Sequence, residues 1–323
     1  MDMNNSASVF RVFMKYVLFN ILGQMVYSCY TLADTFFVSA SLGADGLTAL
    51  NLAFPVFCLL NGTGYMVGMG GGTGYSIAKS RGETGNANLI FTNTVYMTVC
   101  FAALFVLQGL LFSGALAKAL GADRTVFHMT NIYLKVMLLF APAFLINNLL
   151  QSFVRNDGKP SLSTAAMIIG SLSNVVLDYL FIFPLRMGIF GAILATGFAP
   201  VISIAVLSPY FIKKKNGFHF VKSAPDIGKT LEIISSGIPP FVAELSSGIV
   251  MFLFNFIILR LEGNTGVAAF GVITVISLVV VAIYTGLSQG IQPIISANHG
   301  MGKREGVKSI LRYAFFTVLF WRA

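Results

Sequence analysis

Three acids stand inside stretches that otherwise read as hydrocarbon-soluble. Of twelve acidic residues, nine fall in polar segments or at helix ends, while Asp34 (YTLADTFFV), Asp178 (SNVVLDYLFIF) and Glu244 (PPFVAELSSG) lie well within apolar runs. Charge at bilayer depth costs several kcal/mol, about 2.5–3.5 on insertion scales, so such residues are functional or paired. The first apolar segment ends near Ala40, which puts Asp34 about 9 Å below that end at 1.5 Å per residue. The fifth ends near Pro184, and Asp178 then lies at about the same depth.

Asn174 precedes Asp178 by four residues, so both side chains share one helix face. Thr196, about two turns into the following descending segment, comes to a comparable level. Asp34, Asn174, Asp178 and Thr196 thus form an all-oxygen set, suited to a hard cation such as Na⁺ or to a proton held between repelling carboxylates. The plainer alternative is two aspartates separately satisfied by helix–helix hydrogen bonds. Glu244, about two turns into its segment from the other end, is not level with the pair. It is either a second ion or drug contact or a side chain reaching water in a vestibule.

Other patterns carry less. Gly64, Gly68 and Gly72, at four-residue steps, suit close approach of two helix backbones; without GKS/GKT and a preceding strand they are no phosphate loop. GLSQG (286–290) matches GxSxG only formally, since it sits mid-helix. His128, His219 and His299 lie in separate loops without metal-ligand spacing. Cys29, Cys58 and Cys100 read as buried structural thiols. Pro142, Pro200 and Pro293 interrupt helical spans as bends or hinges.

The elements that must position these residues follow from composition. The 323 residues are 56% hydrophobic and 10% charged, with a mean hydropathy of +0.81, against about 25% charged in an ordinary soluble domain. Apolar stretches of about 20 residues or more, enough to cross a bilayer, run over roughly 12–40, 47–78, 89–113, 131–154, 161–184, 188–212, 233–259 and 267–296, and a ninth begins near Val307. The expected fold is therefore an all-α polytopic membrane protein. The N-terminus has no cleavable signal pattern.

The net charge of +9 is informative through its placement. With the N-terminus inside, one side holds Arg11, Lys15, Lys79, Arg81, Arg155, Lys159, Lys213, Lys214, Lys215, Lys222, Lys229, Lys303, Arg304 and Lys308; the other holds Lys118, Arg124, Arg186 and Arg260. That excess predicts a cytoplasmic N-terminus and a solvated basic linker facing lipid headgroups, without nucleic acid. Lys135 is the only basic residue expected well inside a span.

The linker separates two similar halves. DTFFVSASLGADGLTALNLAFPV from Asp34 aligns, with one gap, on NFIILRLEGNTGVAAFGVITVI from Asn255, so that Gly43 meets Gly263 and Gly46 meets Gly266, a period of 220 residues. YSIAKSRGETGNAN (75–88) likewise resembles IISANHGMGKREGV (294–307). Six spans before the linker make this a parallel repeat, as in two-lobed transporters. The expected organisation is an N-terminal six-helix lobe (1–212), a cytoplasmic linker (213–232) and a partial C-terminal lobe (233–323). A complete second copy needs about 220 residues after the linker and 94 remain after Lys229, so a shortened form or fragment, about 8.5 of 12 helices, is expected; Arg322 inside the apolar LFWRA end points the same way.

YTLADTFFVSASLGADGLTALNLAFP (30–55), SNVVLDYLFIFPLRMGIFGAILAT (173–196) and GLSQGIQPIISANHGMGK (286–303) closely resemble the multidrug and toxic compound extrusion (MATE) family, nearest to its bacterial DinF-like and MepA-like branches. The resemblance implies two six-helix lobes around a V-shaped cavity, and export of cationic or amphipathic compounds driven by inward Na⁺ or H⁺. It implies a coupling cation held by Asp34, Asn174, Asp178 and Thr196, with Tyr30 and Asn148 as further lining. Glu244 and Gln292 are added as cavity-lining candidates, although Glu244 lies nearer the start of its helix than the glutamate of some Na⁺-coupled members.

The expected function is thus a cation-coupled antiporter, not an enzyme, without a cofactor beyond the coupling ion. Its partners would be small amphipathic or cationic molecules and the bilayer of the bacterial inner membrane, and the full-length protein a monomer. The alternatives are a lipid-linked oligosaccharide flippase of the same superfamily, or a fragment that does not transport.

Overall fold

The computed structural model describes residues 6–320, with side chains given except at 6–8, 252, 255–256, 258–260, 262–276 and 320. Asn255, Arg260, Gly263 and Gly266 of the expected repeat, and Arg322 at the chain end, have side chains outside the described residues. The architecture among the described residues is all helical: α1 Ser6–Ser80, α2 Thr84–Ala119, α3 Phe127–Leu139, α4 Ala141–Asn156, α5 Pro160–Ile182, α6 Gly188–Ile212, α7 Ile227–Gly300 and α8 Arg304–Phe320. In hydrocarbon every backbone N–H and C=O must be satisfied within its own segment, and helices meet that condition.

A straight helix of 75 residues would reach about 110 Å, several times a hydrocarbon core of about 30 Å. The backbone of α1 instead breaks at Gly43, whose φ of 64° and ψ of −149° lie where a side chain is strained. The two halves are the first two expected spans. Helices α3 and α4 form one span bent by 47°, with Pro142 in the first turn of α4, where its missing N–H costs no helical hydrogen bond. Among the described residues six stretches are long and apolar enough to cross a membrane, seven with the α3–α4 pair, and the Gly43 break divides the first of them. Leu18, Leu111 and Val176, all more than half exposed, belong to an outer surface suited to lipid.

One helix-ending turn recurs along the chain, at Gly121 after α2 and Gly158 after α4 as well as at two positions in the expected repeat. Helices α1 and α7 both end in a left-handed glycine, Gly82 (φ 80°) and Gly302 (φ 70°), 220 residues apart. Gly82 N–H donates to Lys79 O and Glu83 N–H to Ala78 O; Gly302 N–H donates to His299 O and Lys303 N–H to Asn298 O. Both are the same helix-terminating turn.

Glycines set the closest contacts. A Cβ on Gly68 would lie 2.8 Å from Asn148 O and one on Gly72 2.7 Å from Ser152 Oγ, so the Gly64–Gly68–Gly72 row seats α4 on α1, as its spacing predicts. Helix α7 packs on both halves of α1 by the same means: Gly290 faces the Val17 backbone, and Gly237 that of Met66.

The linker is a docked strap rather than a solvated tether. Asn88 Oδ1, Thr92 Oγ1 and Asn93 Oδ1 on α2 accept the backbone N–H groups of His219, Val221 and Asp226, and Tyr96 Oη donates to Ser223 O. Phe218 is buried among Tyr75, Phe91 and Phe153. An extended segment has unpaired backbone groups, and α2 supplies partners from one face. Asp157, in the α4–α5 turn, clamps the strap's start: it accepts from Tyr75 Oη (2.6 Å), Tyr210 Oη (2.6 Å), Gly217 N–H (2.7 Å) and Lys79 Nζ. Burial pushes this carboxyl up, but the bonds from Lys79, Tyr210, Tyr75 and Gly217 outweigh it and hold it below the ordinary aspartate value.

Asp157→Asn turns an amide nitrogen toward these donors, and we expect a loss of about 2–3 kcal/mol, seen as a lower thermal midpoint in detergent and faster trypsin cleavage at Lys213–Lys215. Because the folded carboxyl titrates below its unfolded value, the clamp contributes fully above about pH 4 and is lost only as pH falls through the folded value. Cleavage that tracks pH between 5 and 8 would contradict this.

Candidate functional site

Helix α1 carries Asp34 nine residues before the Gly43 break, α5 carries Asn174 and Asp178 one turn apart, and α6 carries Thr196. All four are buried, Asn174 and Asp178 completely. The structure brings the two carboxyl groups within hydrogen-bonding reach of each other, as equal depth predicts. Asn174, with its amide oriented to satisfy both neighbours, donates to Asp178 Oδ2 at 3.0 Å and accepts from Thr196 N–H at 3.1 Å. The Thr196 hydroxyl donates to Ala192 O at 3.1 Å. Tyr133 on α3, not singled out by the sequence, closes the group with its hydroxyl in reach of Thr196.

One oxygen of each acid, Asp34 Oδ1 and Asp178 Oδ1, is buried with no hydrogen-bond partner. Bare acceptors of that kind cost several kcal/mol in an apolar surround, more if charged. Two adjacent carboxyls in this setting call for positive charge between them, as a shared proton or a hard monovalent cation. No three His, Cys, Asp or Glu side chains converge among the described residues, so the donor set is two carboxyls with neutral oxygens.

Asp34 borders a recess of about 410 Å³ that also touches Tyr30, Phe57, Tyr133 and Thr196. Tyr30 and Thr196 also line a larger cavity walled by α1, α4, α5 and α6, with Gln289 contributed by α7. Tyr30 thus lines both the recess beside Asp34 and the larger cavity. Asn148 also lines the large cavity and donates to Asn61 Oδ1 at 2.9 Å. Asn61 in turn donates to Glu244 Oε1 at 3.1 Å and approaches Tyr27 Oη at 3.5 Å. Glu244 is therefore bonded to α1 rather than left to water, and it borders a neighbouring cavity with Tyr65, Ser288 and Gln289.

Other expectations are corrected. Gln292 lines neither cavity; it donates to Thr73 Oγ1 at 2.8 Å and exchanges bonds with Asn156 at 3.1 and 3.2 Å, while Gln289, one turn earlier, lines the large cavity. Arg155, counted above among loop charges, is 3% exposed in the last turn of α4 and lines the large cavity. Lys135, the expected intramembrane cation, is exposed on α3. Cys58 alone of the cysteines is buried. His128 and His299 lie in terminal helical turns rather than loops, although both are exposed. Asn61, Tyr27, Tyr65 and Gln289 escaped notice because an amide or a tyrosine in an apolar span is not unusual; the four-residue Asn61–Tyr65 spacing was the available signal.

The MatE family model matches residues 20–180 and 239–322. The chain belongs to the MatE family. It is similar to the multidrug export protein MepA of Staphylococcus saprophyticus subsp. saprophyticus, with 25% identity over 317 residues, covering 97% of this chain and 69% of that protein. MepA of Staphylococcus aureus strain MRSA252 is 26% identical over 312 residues, covering 96% and 69%. The outward-facing structure of a multidrug resistance MATE family transporter of the MOP superfamily superposes with a TM-score of 0.87 at 24% identity, over 94% of this chain and 68% of that one. A MOP superfamily transporter from Pyrococcus furiosus Vc1 (DSM3638) gives 0.85 at 24%, over 94% and 68%. At that identity the structural matches establish the fold. The MatE match takes in Asp34, Asn174, Asp178, Glu244 and Gln292, while Thr196 and the strap fall between its two parts.

Asn61 joins two side chains that have few other partners. Asn61→Ala strips Asn148 of an acceptor and Glu244 of a donor, and should cost about 2 kcal/mol of thermal stability. Adding Asn148→Ala should cost less than the separate losses together, because one bond is shared; full additivity in melting experiments would refute the network.

Proposed function

We propose that this MatE chain is the ion-binding part of a secondary antiporter that exports amphipathic or cationic small molecules in exchange for Na⁺ or H⁺. The observation that carries this is the Asp34–Asp178 pair, with one unpartnered oxygen on each acid, beside a recess that shares Tyr30 and Thr196 with the large cavity. Asp34, Asn174, Asp178 and Thr196 hold the cation; Tyr30, Asn148 and Glu244 stand along the route to the substrate. The names of the MepA relatives support multidrug export.

The chemistry is exchange by differential binding. With the cation present, the repulsion between the two acids is relieved and their helices hold together; without it, mutual repulsion favours another packing of α1 against α5 and α6. A ligand shifts a two-state equilibrium only by its difference in affinity for the two states, and the cation supplies that difference here. No side chain is asked to form or break a bond, so the reading is transport and not catalysis.

The organisation that goes with it is a six-helix lobe over 1–212, the strap over 213–232, and helices of a second lobe over 233–323, related by the parallel repeat. The strap end, richest in Lys and Arg, faces the cytoplasm of a bacterial inner membrane. The working unit is a monomer whose partners are its small-molecule substrates and the bilayer, with the coupling ion in place of a cofactor.

Asp34→Asn and Asp178→Asn each keep shape and hydrogen-bonding capacity but remove the negative charge. Each should abolish cation-dependent efflux of a fluorescent amphipathic cation from loaded cells while leaving the amount of membrane-inserted protein unchanged. Undiminished efflux in both variants would sink the proposal.

A further inference from the structure

The large cavity holds one buried charge of its own, at its strap end and opposite in sign to the acid pair. Arg155 is 3% exposed and lines that cavity with Tyr65, Asn147, Gln151 and Gln289. Its Nη1 donates to Asn20 Oδ1 and Gln289 Oε1, both at 3.0 Å. Nε is buried without an acceptor, and no acceptor for Nη2 occurs among the described residues. No carboxylate pairs with the guanidinium, since the ion pairs among the described residues are Lys79–Asp157 and Lys308–Glu305. Asp157, two residues away, spends both oxygens on Tyr75, Tyr210, Gly217 and Lys79. The amide that meets Arg155 across the cavity wall, Gln289, is neutral and already accepts from Gln24 at 3.2 Å.

A buried arginine without a counter-ion is costly unless something supplies the missing negative charge. Its planar fork of five donors suits a carboxylate, and three of the five are uncommitted. We infer that Arg155 is an anion subsite of the cavity, and that the substrates held there include amphiphiles carrying a carboxylate. This rests on the transport reading and narrows its substrate class. Charge count sets the type of anion: one guanidinium among neutral amides and hydroxyls balances a carboxylate, not the multiple charges of a pyrophosphate. Position sets the orientation. Asn20, which binds Arg155, and Asp34 stand 14 residues apart on α1, about 21 Å along the axis, so an anionic group is drawn toward the strap end and a cationic group toward the acid pair.

The probes are a fluorescent rhodamine free acid, which is a xanthylium cation bearing an aryl carboxylate, and its methyl ester, which keeps the cation and loses the negative charge. Binding to the purified full chain in detergent is read by fluorescence polarisation. A charge-assisted pair at a buried site predicts about tenfold to hundredfold tighter binding of the acid. Arg155→Gln should bring acid and ester to parity by weakening the acid alone, and Arg155→Lys should keep part of the preference. Equal affinities in the wild type, or equal weakening of both dyes in Arg155→Gln, would show that Arg155 only latches α4 to α1 and α7, and would overturn the inference. If Arg155→Gln does not fold, the wild-type ratio and competition by sodium benzoate decide: benzoate must displace the acid and spare the ester. No ion gradient enters this measurement, so a failure of coupled efflux leaves the ratio standing, and parity overturns the subsite whatever efflux shows.

Discussion

Two carboxyl groups meeting inside hydrocarbon impose a condition that the surrounding helices must satisfy. A lone buried acid can be neutralised by its own proton, whereas two in contact must share positive charge or separate. The structure answers with neutral groups placed at fixed distances: the Asn174 amide between Asp178 and the Thr196 backbone, and the Tyr133 hydroxyl beside Thr196. None of these supplies charge, so the pair must take up positive charge from elsewhere or separate. The apolar cluster around Leu134, Met137, Leu138, Ala192 and Ile193 keeps bulk water away and holds α3 and α6 in register beside α1 and α5.

Helix α1 connects this condition to the rest of the molecule. Its first half carries Asp34 and its second half carries Asn61 and the glycine row that seats α4. Both halves also face α7, through Gln24–Gln289 and Ser28–Leu278 on one side and Asn61–Glu244, Thr73–Gln292 and Ser76–Pro293 on the other. Apart from the carboxylate of Glu244, these contacts join neutral groups. Neutral hydrogen bonds contribute about 0.5–1.5 kcal/mol each, and glycine contacts let backbones meet without interlocked side chains. A seam of that kind is specific in register and inexpensive to exchange, unlike the buried ion pairs that make an interface hard to open.

Depth and helix face were legible in the sequence; neighbours were not. Counting residues from the segment ends put Asp34 and Asp178 at one level, and the four-residue step put Asn174 beside Asp178. Arg155 was misplaced because it adjoins Asn-Asp-Gly, a turn signal, and one residue decides whether a guanidinium points into the loop or back along its helix. The strap looked solvated because its lysines are, while its backbone contacts depend on Asn88, Thr92, Asn93 and Tyr96 of another helix. The cysteines show the same limit: an apolar run has a lipid-facing and a protein-facing side, and composition does not separate them, so Cys29 and Cys100 proved exposed.

The acid pair and Arg155 are also linked by intermediate residues. From the Asp34 recess, Tyr30 packs edge-on against Tyr27 at 4.9 Å, Tyr27 Oη approaches Asn61 at 3.5 Å, and Asn61 binds both Asn148 and Glu244. Tyr65 and Gln289 then border the space in front of Arg155. All of these except Glu244 are neutral, and each is tied to a helix that also carries one of the two charged ends. On the proposed reading, a change in the occupancy of the acid pair reaches the cavity as a change in how α1 lies against α4 and α7, because Asn61 cannot keep Asn148 and Glu244 together if those helices part. Coupling between an ion and a cavity ligand needs a shared element with two arrangements rather than a wire of charges, and on the proposed reading that element is α1, which carries Asp34, Asn61 and Asn20, one of the two partners of Arg155.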